Sequence, residues 1–345
     1  MTAMQPCLLT HICGMRGAKY GSSPRPTGTM CKSGGREYTD EMNARSSSVT
    51  IRISWGGFPM VKLLFPKSKC TRVPFDLNRS AFSIRIAGAS LAEHVVRLWR
   101  TTKRIDEILI QDSLLAQDRE ILETLHGYAR VTIVDDSCSF DVRADEIPLG
   151  EAGVVRLSTI ADAHKVCHFL LNAIEHRVHE NATIEDGVHI TGPVSIESGA
   201  RVASGAVLRG PVYIGQNCVV GNYALVRDHT SLDRDCLVGY CADVKNTISG
   251  ARTWFGQHMA ALDSIVGSDC FFGGGVRTSN ARLDRKEISL KVKGELVATG
   301  RDRLGLMCGD NVAIGILSGI MPGRIVGSGT TIAPGTIVMR NVGIP

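Results

Sequence analysis

From Ile184 to Val244 an aliphatic residue stands at every sixth position: Ile184, Ile190, Ile196, Val202, Leu208, Ile214, Val220, Val226, Leu232, Val238 and Val244. Four places after each comes a second, mostly small residue, among them Ala200, Ala206, Cys218, Ala224, Cys236 and Ala242. Gly, Asp, Asn, Ser and Pro fill the remaining positions, as in IESGAR and VASGAV. A helix repeats at about 3.6 residues and a strand at about two, so neither gives this period. A fixed period of six marks a β-helix. Each hexad makes a short strand and a turn, and three hexads close a triangular coil around the aliphatic and small residues. The pattern stops after Ile248. It resumes at Val266 and Phe272 and continues through Cys308, Ile314, Ile320, Val326, Ile332 and Val338. Residues 279–307 lack it, which predicts a loop external to the coil, where rigid scaffolds often carry function. Arg324 falls on an inward position, so either the register shifts there or its guanidinium leaves the coil.

Upstream the pattern changes. Residues 1–55 are polar and aperiodic, with GSSPRPTG and Arg45-Ser46-Ser47-Ser48, and read as a disordered leader without a role. Residues 56–150 alternate strand and helix, which implies a small parallel, Rossmann-like sheet. Phe82–Ile86, Glu107–Gln111 and Arg130–Val134 are the strands. Ser90 and Glu93 form a capping pair opening a helix with Leu91, Val95 and Leu98 on one side, and Leu114–Leu125 is a second helix. Residues 151–179 supply a connecting helix, Leu157–Val178, with Ile160, Val166, Leu170, Ile174 and Val178 as its apolar stripe. Residues 180–345 are the β-helix. The fold class is mainly β, with a parallel β-helix preceded by a small α/β domain.

Composition narrows the function. A chain of 345 residues has room for about two domains. The net charge of +5 is spread along the chain and makes no case for nucleic acid, and no apolar run approaches a membrane span. Of eleven cysteines, Cys218, Cys236, Cys270 and Cys308 fall on inward positions, where Cys acts as a small hydrophobe. Together with the lack of a secretory apolar region, this points to a reducing cytoplasm. Cys218 and Cys236 should stack in adjacent coils, where a bridge is conceivable but disfavoured in that compartment. His164, His168, His176 and His179 lie at near-helical spacing. No Cys or carboxylate joins them at ligand spacing, so they read as a polar helix face and no metal is expected. Asp135 and Asp136 read as solvated carboxylates at a strand end.

Three segments carry a family resemblance: VGYCADVKNTI, DSIVGSDCFFGGGVRTSNARLD and TGRDRLGLMCGDNVAIGILSGIMPGRIVG. They resemble hexapeptide-repeat acyltransferases. The match is to the C-terminal domain of bifunctional sugar-1-phosphate nucleotidyltransferase/amino-sugar acetyltransferases, notably the archaeal type, over about 180–342. The resemblance implies a left-handed β-helix, a homotrimer with sites between subunits, and transfer from acetyl-CoA or another acyl-CoA to a sugar phosphate or nucleotide sugar. It also implies that His258, in FGQHMAAL, is the general base, and that Arg227 and Lys245 meet the phosphate. Asn280 orients the acceptor, Lys286 lies on the same loop, and Gly273, Gly274 and Gly275 give the donor close backbone approach. The Tyr expected three residues past the base is Ala261, and the Asn expected before the Gly turn is Phe271. The acceptor is therefore left open.

The stretch FSIRIAGASLAEHVVRLWRTTKRIDEILI is similar to the front of sugar-1-phosphate nucleotidyltransferases, at about half their length. Their triphosphate loop is echoed only by GGFP at 56–59 and FPK at 65–67. Two alternatives to acyl transfer follow: a sugar-1-phosphate nucleotidyltransferase, or a non-catalytic trimeric scaffold or regulatory homologue. A γ-type carbonic anhydrase needs a close pair among interfacial histidines, a spacing that His189, His229 and His258 do not supply.

Overall fold

The computed structural model describes residues 60–65, 80–111, 115–134, 138, 141–149, 153–292 and 295–344. The leader, the GGFP segment, Asp135 and Asp136 lie outside the described residues. From residue 177 the chain winds into a parallel β-helix whose three faces are each an eight-stranded sheet. Face one runs from Thr183–Ile184 to Thr331–Ile332, and face two from His189–Thr191 to Ile337–Val338. Face three runs from Arg177–Val178 to Ile325–Val326. The hexad aliphatics from Ile196 to Val244 are all fully buried along the axis, with the small residues beside them. Each such side chain contributes about 1.5–3 kcal/mol of burial, and stacking repeats that contribution coil after coil.

The ladder does not break after Ile248, as the sequence suggested. Leu225 pairs with Asp243 eighteen residues on, but Leu237 pairs with Trp254 and Asp243 with Ala260, seventeen on. One residue is missing at the corner between faces two and three, where Lys245-Asn246-Thr247 replaces Arg227-Asp228-His229-Thr230. The shortened corner recurs at Leu262-Asp263-Ser264, so the inward series shifts phase twice and runs through Ser249, Phe255, Ala261, Val266 and Phe272, all buried. The insertion leaves at the same corner, after Arg277–Thr278, and returns at Met307–Cys308. It carries an antiparallel hairpin, Ser289–Val292 with Glu295–Ala298. At Arg324 the register holds, since Met307 pairs with Ile325, and the guanidinium Nε donates to Pro322 O at 3.2 Å.

The α/β region holds a parallel sheet in the order Arg130–Ile133, Arg104–Ile110, Met60–Phe65, Val142–Arg143. Helix α1, Leu91–Trp99, starts as expected, with Ser90 Oγ accepting from Glu93 N at 3.2 Å. Three expected elements differ. Phe82–Ile86 is a short turn at Ala81–Ser83 and then Arg85–Ile86, paired antiparallel with Ala89–Ser90. Ala87 and Gly88, both at positive φ, turn the chain back and cut the strand short. The second helix, α2, is Arg119–His126, because Asp118 caps it by accepting from Ile121 N. The connecting helix shrinks to α3, Ala163–Asn172. The Asp162 carboxylate accepts from the amides of Ser158 and Thr159 and fixes a tight turn ahead of it. Beyond Asn172 the chain enters the first strand of face three, so Val178 is a strand residue and exposed.

These parts share one core. Tyr213, Ile248, Ile265, Met307 and Ile325, the outward residues of face three, pack with α1, α3 and the hairpin's Ile288 and Leu290. Arg85 ties the α/β region to the β-helix, its Nε 3.1 Å from buried Asp233 Oδ2. Ser231 Oγ accepts from Ala87 N at 2.9 Å. No described helix is long and apolar enough to cross a membrane. The four inward cysteines are free and buried, and the Cys218 and Cys236 thiols donate to the carbonyls of Asp233 and Gly250.

Candidate functional site

The expected site residues divide between two corners. At the corner between faces one and two the turn residues Tyr223, His258 and Gly275 take the left-handed conformation, at φ 55°, 55° and 73°. Tyr223 and His258 are exposed at this corner, two coils apart, with Tyr240 in the coil between them. Tyr240 meets Tyr223 edge-on at 5.9 Å and His258 at 5.2 Å, so the His258 ring is exposed against one aromatic edge. Gly273, Gly274 and Gly275 form the next turn, with Gly275 N donating to Gln257 O at 2.9 Å. A Cβ on Gly273 would lie 2.7 Å from Ile316 N, so coil stacking alone already requires glycine there. Beside this corner face one carries an apolar strip. Trp254 and Phe271 are each 48 % exposed, with rings 5.7 Å apart, and Ile316 and Leu317 are exposed near them.

The corner between faces two and three collects Arg227, Lys245 and Asn280, and centres on a residue the sequence did not single out, Asp263. Its carboxylate is buried at 3 % exposure. Oδ1 accepts from Asn246 Nδ2 at 2.7 Å, Oδ2 accepts from Asn280 Nδ2, and Lys245 Nζ lies 3.6 Å away. Arg227 stands in register with Lys245 but is already engaged. It makes a fork to both oxygens of Asp243 at 3.0 Å and a bond to Asp228 at 2.9 Å. That fork, above all, raises its pKa further. Lys286 is on the exposed stretch of the loop, its amide donating to Asp284. His258 with the three glycines is therefore one group, and Arg227, Lys245 and Asn280 another.

Helix α3 lies along this second corner and overturns the polar-face reading of its histidines. Its side chains reach three successive coils: Cys167 Sγ donates to His229 O, His168 Nε2 meets Asn246 Oδ1 at 2.6 Å, and His164 Nε2 meets Ser264 O at 3.3 Å. His164 is wholly buried and burial pushes its pKa down to about 3. His176 and His179 lie past the end of the helix. Arg301, from the returning limb of the loop, has a buried Nε without a hydrogen-bond partner, and desolvation lowers its pKa. Among the described residues no group of three or more His, Cys, Asp or Glu is placed to hold a metal ion.

Similarity to known proteins falls in the C-terminal half. The bifunctional protein GlmU of Methanococcus maripaludis (strain C7) is 48 % identical over 172 residues, 50 % of this chain and 41 % of that protein. The uncharacterized acetyltransferase YaiX of Escherichia coli O6:K15:H31 (strain 536) is 38 % identical over 100 residues, 29 % of this chain and 44 % of that protein. The chain thus spans less than half the length of these relatives. No family model matches the sequence. The solved polySia-specific acetyltransferase NeuO aligns over 48 % of this chain and 85 % of its own, at 18 % identity and a TM-score of 0.23, too low to bear on the reading.

Proposed function

We propose that the chain is an acyl-CoA-dependent transferase acting on a sugar phosphate, nucleotide sugar or similar polar acceptor, and that its site is completed between copies of a homotrimer. The observation that carries this reading is the division of the expected site residues between two corners of one chain, with an exposed apolar strip beside the first. A second copy seated on Trp254 and Phe271 covers that strip and sets its own Lys245 and Asn280 facing His258. The named acetyltransferases among the relatives support acyl transfer from acetyl-CoA. Separately, the parallel β-helix supports a rigid frame for such a shared site.

In this reading the acceptor's amine or hydroxyl attacks the thioester carbonyl while His258 takes its proton. The carbon–sulfur bond then breaks and the proton passes from His258 to the CoA thiolate. An activated thioester needs no covalent enzyme intermediate, so one base within hydrogen-bond reach suffices. In the turn at Gly273–Gly275, Gly273 N and Gly275 N already donate to Ile314 O and Gln257 O, which leaves the Gly274 N–H to meet the carbonyl oxygen. Lys245 supplies positive charge to the acceptor's phosphate, and Arg227 adds to it once a dianion competes with Asp243. The testing experiment is complementation. His258→Ala and Asn280→Ala chains, each inactive alone in a CoA-release assay, are co-expressed and should regain a fraction of parent activity. If the mixture stays as inactive as either variant, or if light scattering shows a stable monomer, the shared site is wrong.

A further inference from the structure

The corner around Asp263 is tied to a donor that lies outside the coil. Asn246 and Asp263 take the same left-handed turn position in successive coils, at φ 46° and 48°. The turn accounts for the residue types, since Asn and Asp tolerate that conformation. It does not account for their side chains being joined in a series of hydrogen bonds with a histidine at one end. Asn246 Nδ2 donates to Asp263 Oδ1 at 2.7 Å, which turns Asn246 Oδ1 toward α3, where His168 Nε2 lies 2.6 Å away. An amide oxygen only accepts, so His168 Nε2 carries the hydrogen and donates. On the far side Asp263 Oδ2 accepts from Asn280 Nδ2 and lies 3.6 Å from Lys245 Nζ. The order is therefore fixed: His168 gives a hydrogen to Asn246, Asn246 gives one to Asp263, and Asp263 holds Lys245 and Asn280.

His168 is itself held in place. Its ring stacks on His229 at 4.1 Å between centroids and 30° between planes, and His229 Nε2 meets Asn172 Oδ1 at 2.7 Å, back at the end of α3. Elsewhere on the helix, His164 Nε2 meets Ser264 O and Cys167 Sγ donates to His229 O. The donor is thus set by a helix that belongs to the core shared with the α/β region, not by the β-helix alone. A link of this kind has direction as well as strength. With only an acceptor in place of His168, the Asn246 amide would have to turn end for end and set its oxygen against the Asp263 carboxylate. With no polar group there, Asn246 keeps one anchor of two and its hold on Asp263 slackens.

We propose that His168 is a positioning residue for the acyl-transfer site, setting the placement of Lys245 and Asn280 through Asn246 and Asp263. The inference rests on the acyl-transfer reading for calling Lys245 and Asn280 contacts of the acceptor. His168 acts through the relay, so its loss weakens binding at the Lys245 corner without slowing the proton transfer at His258. A packing role alone predicts something different. Any uncharged side chain filling the same space would then serve equally, and a poor one would lower stability before it changed affinity.

The test compares two replacements of similar size in the full chain: His168→Gln, which keeps a side-chain N–H donor, and His168→Met, which has none. Glucose 1-phosphate is the probe, followed by calorimetric titration, with a melting curve for each variant. His168→Gln should bind it within about 3-fold of the parent and His168→Met about 5–10-fold more weakly, at melting temperatures that agree with each other. Asn246→Gly, which a left-handed turn accepts, breaks the middle link, and adding His168→Met to it should cost no further affinity. Equal loss in the two His168 variants, no loss in either, additive losses in the double variant, or no binding by the parent overturns the proposal. With acetyl-CoA and glucosamine 1-phosphate, KM should follow the same order while kcat stays within about 3-fold of the parent. The expected binding order without any turnover would sink the acyl-transfer reading alone. Turnover in which His168→Met lowers kcat and leaves KM at the parent value would sink the positioning role alone.

Discussion

At the corner between faces one and two, His258 stands exposed in a left-handed turn, with the Tyr240 ring edge-on beside it. At the corner between faces two and three, Asp263 lies buried under two amides and an ammonium, with α3 laid across three coils. The same repeat makes both corners, so the difference arises from what each is given to cover it. The first leaves its imidazole exposed to solvent. The second has a helix, a returning loop and a closed hydrogen-bond network, so its groups are fixed before any ligand arrives. Groups that bind benefit from such fixing, since ordering them during association would cost affinity. A base that passes protons benefits from access.

This contrast separates catalytic from structural effects. The largest change should come from the exposed corner. His258→Ala is expected to lower kcat by about 10²–10⁴-fold while leaving acetyl-CoA binding and the melting temperature near the parent values. Unchanged kcat in a working assay would remove His258 from the mechanism. The buried corner should respond the other way. Asp263→Leu strands two amides and an ammonium, and denaturant unfolding should show a loss of roughly 3–5 kcal/mol. A loss under about 1 kcal/mol would mean the network is not a structural unit.

The smallest expected effect is graded by pH. The buried His164 ring stays neutral down to about pH 3, while in the unfolded chain it takes up a proton below about pH 6.5. Between those values the unfolded state binds the extra proton. Stability from this group is therefore full above pH 6.5 and falls as pH drops, by up to about 1.4 kcal/mol per pH unit. Melting curves of the parent and His164→Leu should converge as the pH is lowered from 7 to 5. Parallel curves would show that His164 is charged in the folded state or that its region opens locally.

The axial ladder was legible because every inward position obeys one rule, fill the prism, and that rule leaves a period in the sequence. The shortened coil after Lys245 was not. One residue missing at each of two successive turns of that corner, after Lys245 and after Leu262, moves every later inward residue out of phase, so a continuous stack looks like a break between Ile248 and Val266. The Asp263 corner was harder still. Asn246 and His168 are 78 positions apart and meet only because α3 folds along the coil, a tertiary placement with no local signal. The spacing of Lys245, Asn246 and Asp263 hints at a polar column only to a reader who already has the seventeen-residue coil. Cap chemistry also shortened two helices that apolar spacing alone had extended, through the carboxylates of Asp118 and Asp162.

The covering of face three has a mechanical meaning. A bare solenoid behaves as a row of units that each grip only their neighbours, so its ends loosen independently and its middle last. Here Tyr213, Ser231, Ile248, Ile265, Met307 and Ile325 come from six successive coils. All but Ser231 belong to the core shared with the α/β region, α3 and the hairpin, and Ser231 is tied to that region through Ala87. That assembly is a splint laid along the rod. It converts a graded, end-first fraying into a joint event, in which no splinted coil can open without releasing the contacts that hold the others.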